Sequence, residues 1–113
     1  DRTALLDGSE VIVNALTNAR PKGLTVVCIS SLRDIRDAMV AHSSCFKEKV
    51  RVVAVMGGLE RGQEGQPHWV PDTSVNNCFD VEAAADVYAF CFTEGVPMTV
   101  TSRFAVPMLP MQL

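Results

Sequence analysis

No apolar run in this 113-residue chain approaches the ~20 residues that a membrane-spanning helix needs. There is no basic stripe either. The ten lysines and arginines are scattered and lack interleaved aromatics, which argues against nucleic-acid binding. No C-x-x-C pair occurs among Cys28, Cys45, Cys78 and Cys91. Cys28 and Cys91 lie inside apolar segments, so buried reduced thiols are expected. They suggest an intracellular, reducing compartment, either cytoplasm or organelle interior. Histidine is confined to His42 and His68. His42 precedes Cys45 closely, but no further Cys or His stands nearby to complete a zinc site. The first residues, from Asp1, have neither the n-region nor the h-region of a signal peptide.

What is present describes a globular chain. Hydrophobic residues make up 48% and charged residues 20%, with a net charge of -3. The length suits one real core, so residues 1–113 are expected to form a single partial domain.

The hydrophobic pattern alternates between two periods. Ser9 precedes a periodic segment at 10–20, with Val11, Ala15 and Leu16 toward one side; Ser9 is the expected cap. "LTVVCI", residues 24–29, is short and rich in β-branched residues, and reads as a strand buried on both faces. Ser30 and Ser31 are expected to cap a second helix, 32–42, whose inner residues are Leu32, Ile35 and Met39. A linker holding Phe46 leads to a second buried strand, 50–56. Residues 57–78 are rich in Gly, Pro and Asn and read as a long loop. Asp80 caps a third helix, 81–93, with Ala84, Val87, Tyr88 and Cys91 inward and Gly95 as its stop. Residues 96–101 form a third strand. Strand, helix, strand, helix, strand predicts an α/β fold, three-layered, with a mostly parallel sheet and right-handed crossovers.

The second strand ends in Met56-Gly57-Gly58. In an open parallel sheet, ligands bind beyond the carboxyl ends of the strands. Two glycines there either make a tight turn or let a ligand touch the main chain. The pattern is not G-x-G-x-x-G and no helix follows directly, so a dinucleotide fold is not supported. Asp34 and Asp37 share a helical face flanked by Arg33 and Arg36, and read as a solvated salt-bridging surface. Trp69, beside His68, is placed either to stack on a base or to pack over the loop.

These pieces, in their order, resemble the inosine-uridine preferring nucleoside hydrolase family. The residues that carry the likeness are Met56-Gly57-Gly58, Asn76, Asp80-Val81-Glu82-Ala83-Ala84 and Gly95-Val96-Pro97-Met98. "ARPKGLTVVCISSLRDI" upstream is similar to the strand that runs into the family's Thr-Gly-Pro-Leu-Thr-Asn-Ile turn. The resemblance implies a nucleoside-hydrolase-like, Rossmann-like unit. It also implies a calcium ion held by an N-terminal aspartate cluster, a threonine carbonyl and a later aspartate, with an aspartate as base.

The chain departs from that pattern at the chemical groups. It has no Asp-rich N-terminal cluster, and no His-Asp pair follows Thr101. Ile29 stands where the family has its threonine ligand, so only a main-chain carbonyl is on offer there. Ser74-Val75-Asn76 replaces a sugar-contacting Glu-Phe-Asn, which leaves Asn76. The expected ligand contacts are therefore Gly57, Gly58 and Asn76, with no catalytic residue and no metal bound by this chain alone.

Three readings follow. One is a catalytically degenerate module with a structural or accessory role in a larger assembly. A second is a fragment of an active calcium-dependent nucleoside N-ribohydrolase. A third is a non-catalytic nucleoside- or ribose-binding module. The apolar tail "FAVPMLPMQL" holds Phe104, Val106, Met108, Leu109, Met111 and Leu113. Pro107 and Pro110 keep it from forming a regular helix, so it is expected to dock on another protein chain.

Overall fold

The computed structural model describes residues 5–102. The chain is α/β, as the alternation predicts, and is built on a three-stranded parallel sheet. In chain order the elements are α1 (Gly8–Asn18), β1 (Leu24–Cys28), α2 (Arg33–Ala41), α3 (Ser43–Lys49), β2 (Val50–Gly57), β3 (Leu59–Arg61), β4 (Trp69–Pro71), α4 (Val75–Cys78), α5 (Val81–Glu94) and β5 (Met98–Ser102). β2 lies between β1 and β5 and runs parallel to both. Val27 pairs with Ala54 across one boundary, and Ala54 with Thr99 across the other.

Both crossovers step the same way across the sheet. Right-handed connections then put the intervening helices on one face. Burial along β2 agrees. Val53 and Val55 are buried, while the alternate residue Met56 is exposed. A single core joins Val53, Val55 and Cys28 to Leu16 of α1, Leu32, Ile35 and Met39 at α2, Phe46 of α3, and Ala84, Val87, Tyr88 and Cys91 of α5. The inner stripes of α2 and α5 are those the periodicity indicates.

The opposite face is open. Val27, Ile29 and Met56 are 66%, 68% and 48% exposed. β1 is therefore covered on one face only, not on both as its apolar run suggests. A second helical layer, which a three-layer arrangement places there, is not supplied by the described residues.

Several local readings are corrected by side-chain chemistry. Asp7, not Ser9, caps α1. Its carboxylate accepts from the Ser9 N–H at 2.9 Å, and Glu10 returns a bond to the Asp7 N–H, which completes a capping box. Val11 and Ala15 of that helix face outward; Leu16 is its buried residue. Residues 43–49 form a helix rather than a linker. Phe46 anchors it, fully buried and edge-on to Phe90 at 5.9 Å. Within 57–78 the chain builds a hairpin, β3 against β4, and the short helix α4. Gly95 ends α5 at φ 70°, as a left-handed C-cap should.

Candidate functional site

β2 ends beside α4, whose Asn76 bonds the Met56 carbonyl, at the carboxyl edge where an open parallel sheet presents its ligand site. Gly57 and Gly58 are buried there. Neither has a positive φ; that conformation is confined to Gly65 and Gly95 among the described glycines. Their smallness serves close packing. A Cβ on Gly57 would lie 2.9 Å from Asn77 Oδ1 and 3.1 Å from the Tyr88 hydroxyl. A Cβ on Gly58 would collide with the Asp72 carboxylate. The space beside both glycines is thus filled by the chain's own Asp72, Asn77 and Tyr88.

Two of these side chains and one main-chain N–H converge on the Gly58 carbonyl. Asn77 Nδ2 donates to Gly58 O at 3.0 Å, and the Tyr88 hydroxyl donates to the same oxygen at 3.0 Å. The Asp72 N–H reaches it at 3.1 Å. Asp72 Oδ1 accepts from the Ser74 N–H at 2.9 Å and from Asn77 Nδ2 at 3.2 Å. Burial raises the Tyr88 hydroxyl pKa, against a smaller opposing effect from its Asn77 and Gly58 hydrogen bonds. Sequence reasoning missed this clamp. A usable signal existed: a lone tyrosine on the inner stripe of α5 has a hydroxyl that must find a partner.

Asn76 occupies a different position from its neighbour. Its Nδ2 donates to Met56 O at 2.9 Å, which pins its amide to the carboxyl end of β2. It is half-buried, and Met56 beside it is exposed. Of Gly57, Gly58 and Asn76, only Asn76 therefore keeps surface that a ligand can meet. Ser74 is buried, and its hydroxyl has no hydrogen-bond partner among the described residues.

The rest of the rim belongs to α2 and α5. Ser30, Ser31, Arg33, Asp34 and Phe79 line a shallow depression. Asp80 caps α5 by accepting from the Ala83 N–H at 3.0 Å, and takes the Arg33 guanidinium at 2.7 Å. Both contacts, the Ala83 bond first, hold its carboxyl below the ordinary 3.8. Arg36 bridges Asp37 at 2.7 Å and Asp86 at 3.0 Å, which makes the Asp34–Asp37 face of α2 partly a salt-bridged surface.

A calcium ion wants six or more oxygen ligands with several carboxylates among them. Among the described residues lining the depression next to Ser30 and Ser31, the carboxylate is that of Asp34, in company with the Arg33 guanidinium. Among the described residues, no three His, Cys, Asp or Glu side chains gather into a metal-holding group. This donor set does not fit calcium. Phe104, Val106, Met108, Leu109, Met111 and Leu113, expected to dock on a partner, lie outside the described residues.

No family model matches the chain, and no curated protein matches it. Solved structures that share its fold include two effector proteins. The type III effector protein XopQ, complexed with adenosine diphosphate ribose, superimposes with a TM-score of 0.77 at 24% identity, over 86% of this chain. The effector protein XOO4466 does so with a TM-score of 0.75, also at 24% identity and over 86% of this chain. The chain spans 27% of each of those proteins, so the likeness is one of fold over that part.

Proposed function

We propose that this chain is a nucleoside-hydrolase-like module that serves as a structural or accessory part of a larger assembly and does not hydrolyse nucleosides by itself. The observation that carries this reading is the open face of the sheet. Parallel sheets are stable when both faces are covered. Here Val27, Ile29 and Met56 line a face that the described helices leave bare. Covering those three side chains is worth roughly 3–5 kcal/mol before ordering costs, after a discount for the area already buried. On this reading Phe104, Val106, Met108, Leu109, Met111 and Leu113 form a second apolar contact with the same assembly. The experiment is light scattering and co-purification of wild-type chain and a Val27→Asp, Ile29→Asp variant. The variant is expected to keep its circular dichroism spectrum and to lose association. Unchanged association in the variant refutes the assembly role.

A second reading has its own support. Asn76, fixed on the Met56 carbonyl, stands at the sheet's carboxyl edge, where a nucleoside or ribose would lie. XopQ, with the same fold, was crystallised with adenosine diphosphate ribose. On this reading Gly57 and Gly58 act indirectly, by letting Asn77 and Tyr88 brace the strand end that carries Met56. Titration with ribose, inosine and adenosine diphosphate ribose, followed by calorimetry, is the test. Binding that Asn76→Ala weakens supports it; no heat at millimolar ligand ends it.

A further inference from the structure

Half of the chain's lysines and arginines, Arg20, Lys22, Lys47, Lys49 and Arg51, come together at the amino edge of the sheet, away from the site described above. They are drawn from the 19–23 turn before β1, the last turn of α3 and the start of β2. Hydrogen bonds tie these segments together. The Lys22 N–H donates to Glu48 O at 2.9 Å, and the Lys22 ammonium donates to Lys47 O. Lys49 Nζ donates back to Ala19 O at 2.7 Å. Arg51 Nη2 donates to Thr25 Oγ1 at 3.1 Å. Two acids lie among these cations, Glu48 and Glu94, and Glu94 is bridged by Lys47 at 3.0 Å. Among the described residues, Arg20, Lys22, Lys49 and Arg51 have no acid partner. The edge thus carries five cations against two acids, on a chain whose net charge is -3.

Strapping the 19–23 turn to α3 accounts for the two lysine bonds but not for the charge. A main-chain carbonyl is neutral, so it leaves each ammonium charged, with two of its three N–H donors unused. It also fixes the head group in advance. A free lysine gives up rotamer freedom when it binds; for Lys22 and Lys49 part of that loss is already incurred in the folded chain. Lys22 is further held at φ 54°, a left-handed conformation uncommon for a residue with a side chain. The patch continues onto the open face of the sheet. Thr25, which accepts from Arg51, alternates with Val27 along β1, and both are exposed. A partner that covers Val27 therefore meets the cations at the same edge. We propose that the amino edge binds an acidic segment of a partner protein, whose Asp and Glu carboxylates engage Arg20, Lys22, Lys49 and Arg51. The adjoining apolar face selects a protein over a nucleic acid, whose phosphates gain nothing from Val27. The proposal rests on the assembly reading for its partner and adds that partner's chemistry. It is measured with a peptide on the isolated chain, so it can fail while association through Val27 and Ile29 stands, and the reverse.

The probe is a fluorescein-labelled, amidated hexaglutamate peptide, with hexaglutamine as its uncharged counterpart. Binding is followed by anisotropy in about 0.05 M salt, where exposed charges more than roughly 14 Å apart are largely screened. The glutamate peptide is expected to bind saturably and to weaken as salt is added. The glutamine peptide should bind at least about tenfold more weakly. Arg20 is exposed and has no side-chain bond among the described residues. Arg20→Glu should weaken binding about fivefold, and Arg20→Glu combined with Arg51→Glu more than about tenfold, with the circular dichroism unchanged. Arg61→Glu alters net charge by the same amount as Arg20→Glu, but lies on the hairpin beyond the carboxyl end of β2. It should leave binding within about twofold of wild type. Equal binding of the two peptides overturns the proposal, as does a titration flat to millimolar peptide. So does an equal loss in Arg61→Glu and Arg20→Glu, which reduces the effect to net charge. Tighter binding of a single-stranded oligonucleotide of the same charge assigns the edge to phosphate and also overturns it.

Discussion

The two faces of one sheet differ more than their residues do. On the covered face, Val53 and Val55 are 0% and 2% exposed beneath α2 and α5. On the other, Val27 and Ile29 are each about two-thirds exposed. The residue types are the same, β-branched and apolar. Hydrophobicity along a strand therefore records that a face is meant to be covered. It does not record which atoms cover it, the chain's own or another's.

The largest expected effect lies on the covered face. Phe46 is fully buried, anchors α3 and meets Phe90 edge-on. Phe46→Ala should cost about 3–5 kcal/mol, from lost transfer energy together with the cavity left behind. Urea denaturation, read as a shift in midpoint at unchanged slope, measures it. A cost under about 1 kcal/mol would mean that the helical side collapses freely and that the contrast between the faces is overstated.

That covered face was largely legible in the sequence. Leu32, Ile35 and Met39, and then Ala84, Val87, Tyr88 and Cys91, follow helical spacing, and all are buried. Parallel pairing of β1 with β2 followed from the alternation of elements. The open face was not legible, because a run such as "LTVVCI" looks alike whether one face or two are covered. Phe46 was misread because residues 43–49 form too short a helix to show a period. The site was half legible. Met56-Gly57-Gly58 marked the right strand end, and Asn76 the right loop. The reason for the glycines lay in Asp72, Asn77 and Tyr88, which approach from 14 to 31 positions away along the chain. Local pattern carries no trace of such contacts.

The next effect belongs to the carboxyl edge, between the two faces. Gly58→Ala puts a Cβ into the Asp72 carboxylate, whose Oδ1 already serves Ser74 and Asn77. The carboxylate cannot swing away without releasing them. A cost of about 1–3 kcal/mol is expected, as for other overpacked sites. Gly57→Ala should cost less, since its tightest contact is 2.9 Å. Thermal melts of the two variants test the order. If Gly58→Ala is neutral, the space there is loose enough for a ligand, and direct ligand contact with the main chain becomes the better reading of the glycines.

A smaller effect should appear with acid. Asp80 ties α2 to the start of α5 through Arg33, over the covered face. Its carboxyl is held below 3.8 by the Ala83 N–H and then by Arg33. A depressed folded pKa adds stability that is present above the unfolded value, ~3.9. That stability is lost as pH falls through the lowered folded value. Melting temperatures of wild type and Asp80→Asn should therefore differ at pH 6 and converge as the pH falls through the lowered folded value. A difference that persists unchanged at low pH would assign the effect of Asp80 to shape and not to charge.

The smallest effect on stability is expected on the exposed face of the sheet, at Val27 and Ile29. Val27→Thr and Ile29→Thr keep β-branched side chains, so strand preference is retained. Both positions face away from the core, so the isolated chain has little packing there to lose. Its unfolding free energy should change by no more than about 0.5 kcal/mol, the usual range for exposed sites. The same pair of substitutions should weaken association with whatever covers the face, because each replaces an apolar group at the contact with a hydroxyl. Urea melts of dilute chain, set beside light scattering of concentrated chain, separate the two quantities. A loss of 2 kcal/mol or more in the dilute chain, on the order of a buried-site substitution, would show that the chain covers this face itself. The two faces would then be equivalent, and the case for an assembly would fall with their difference.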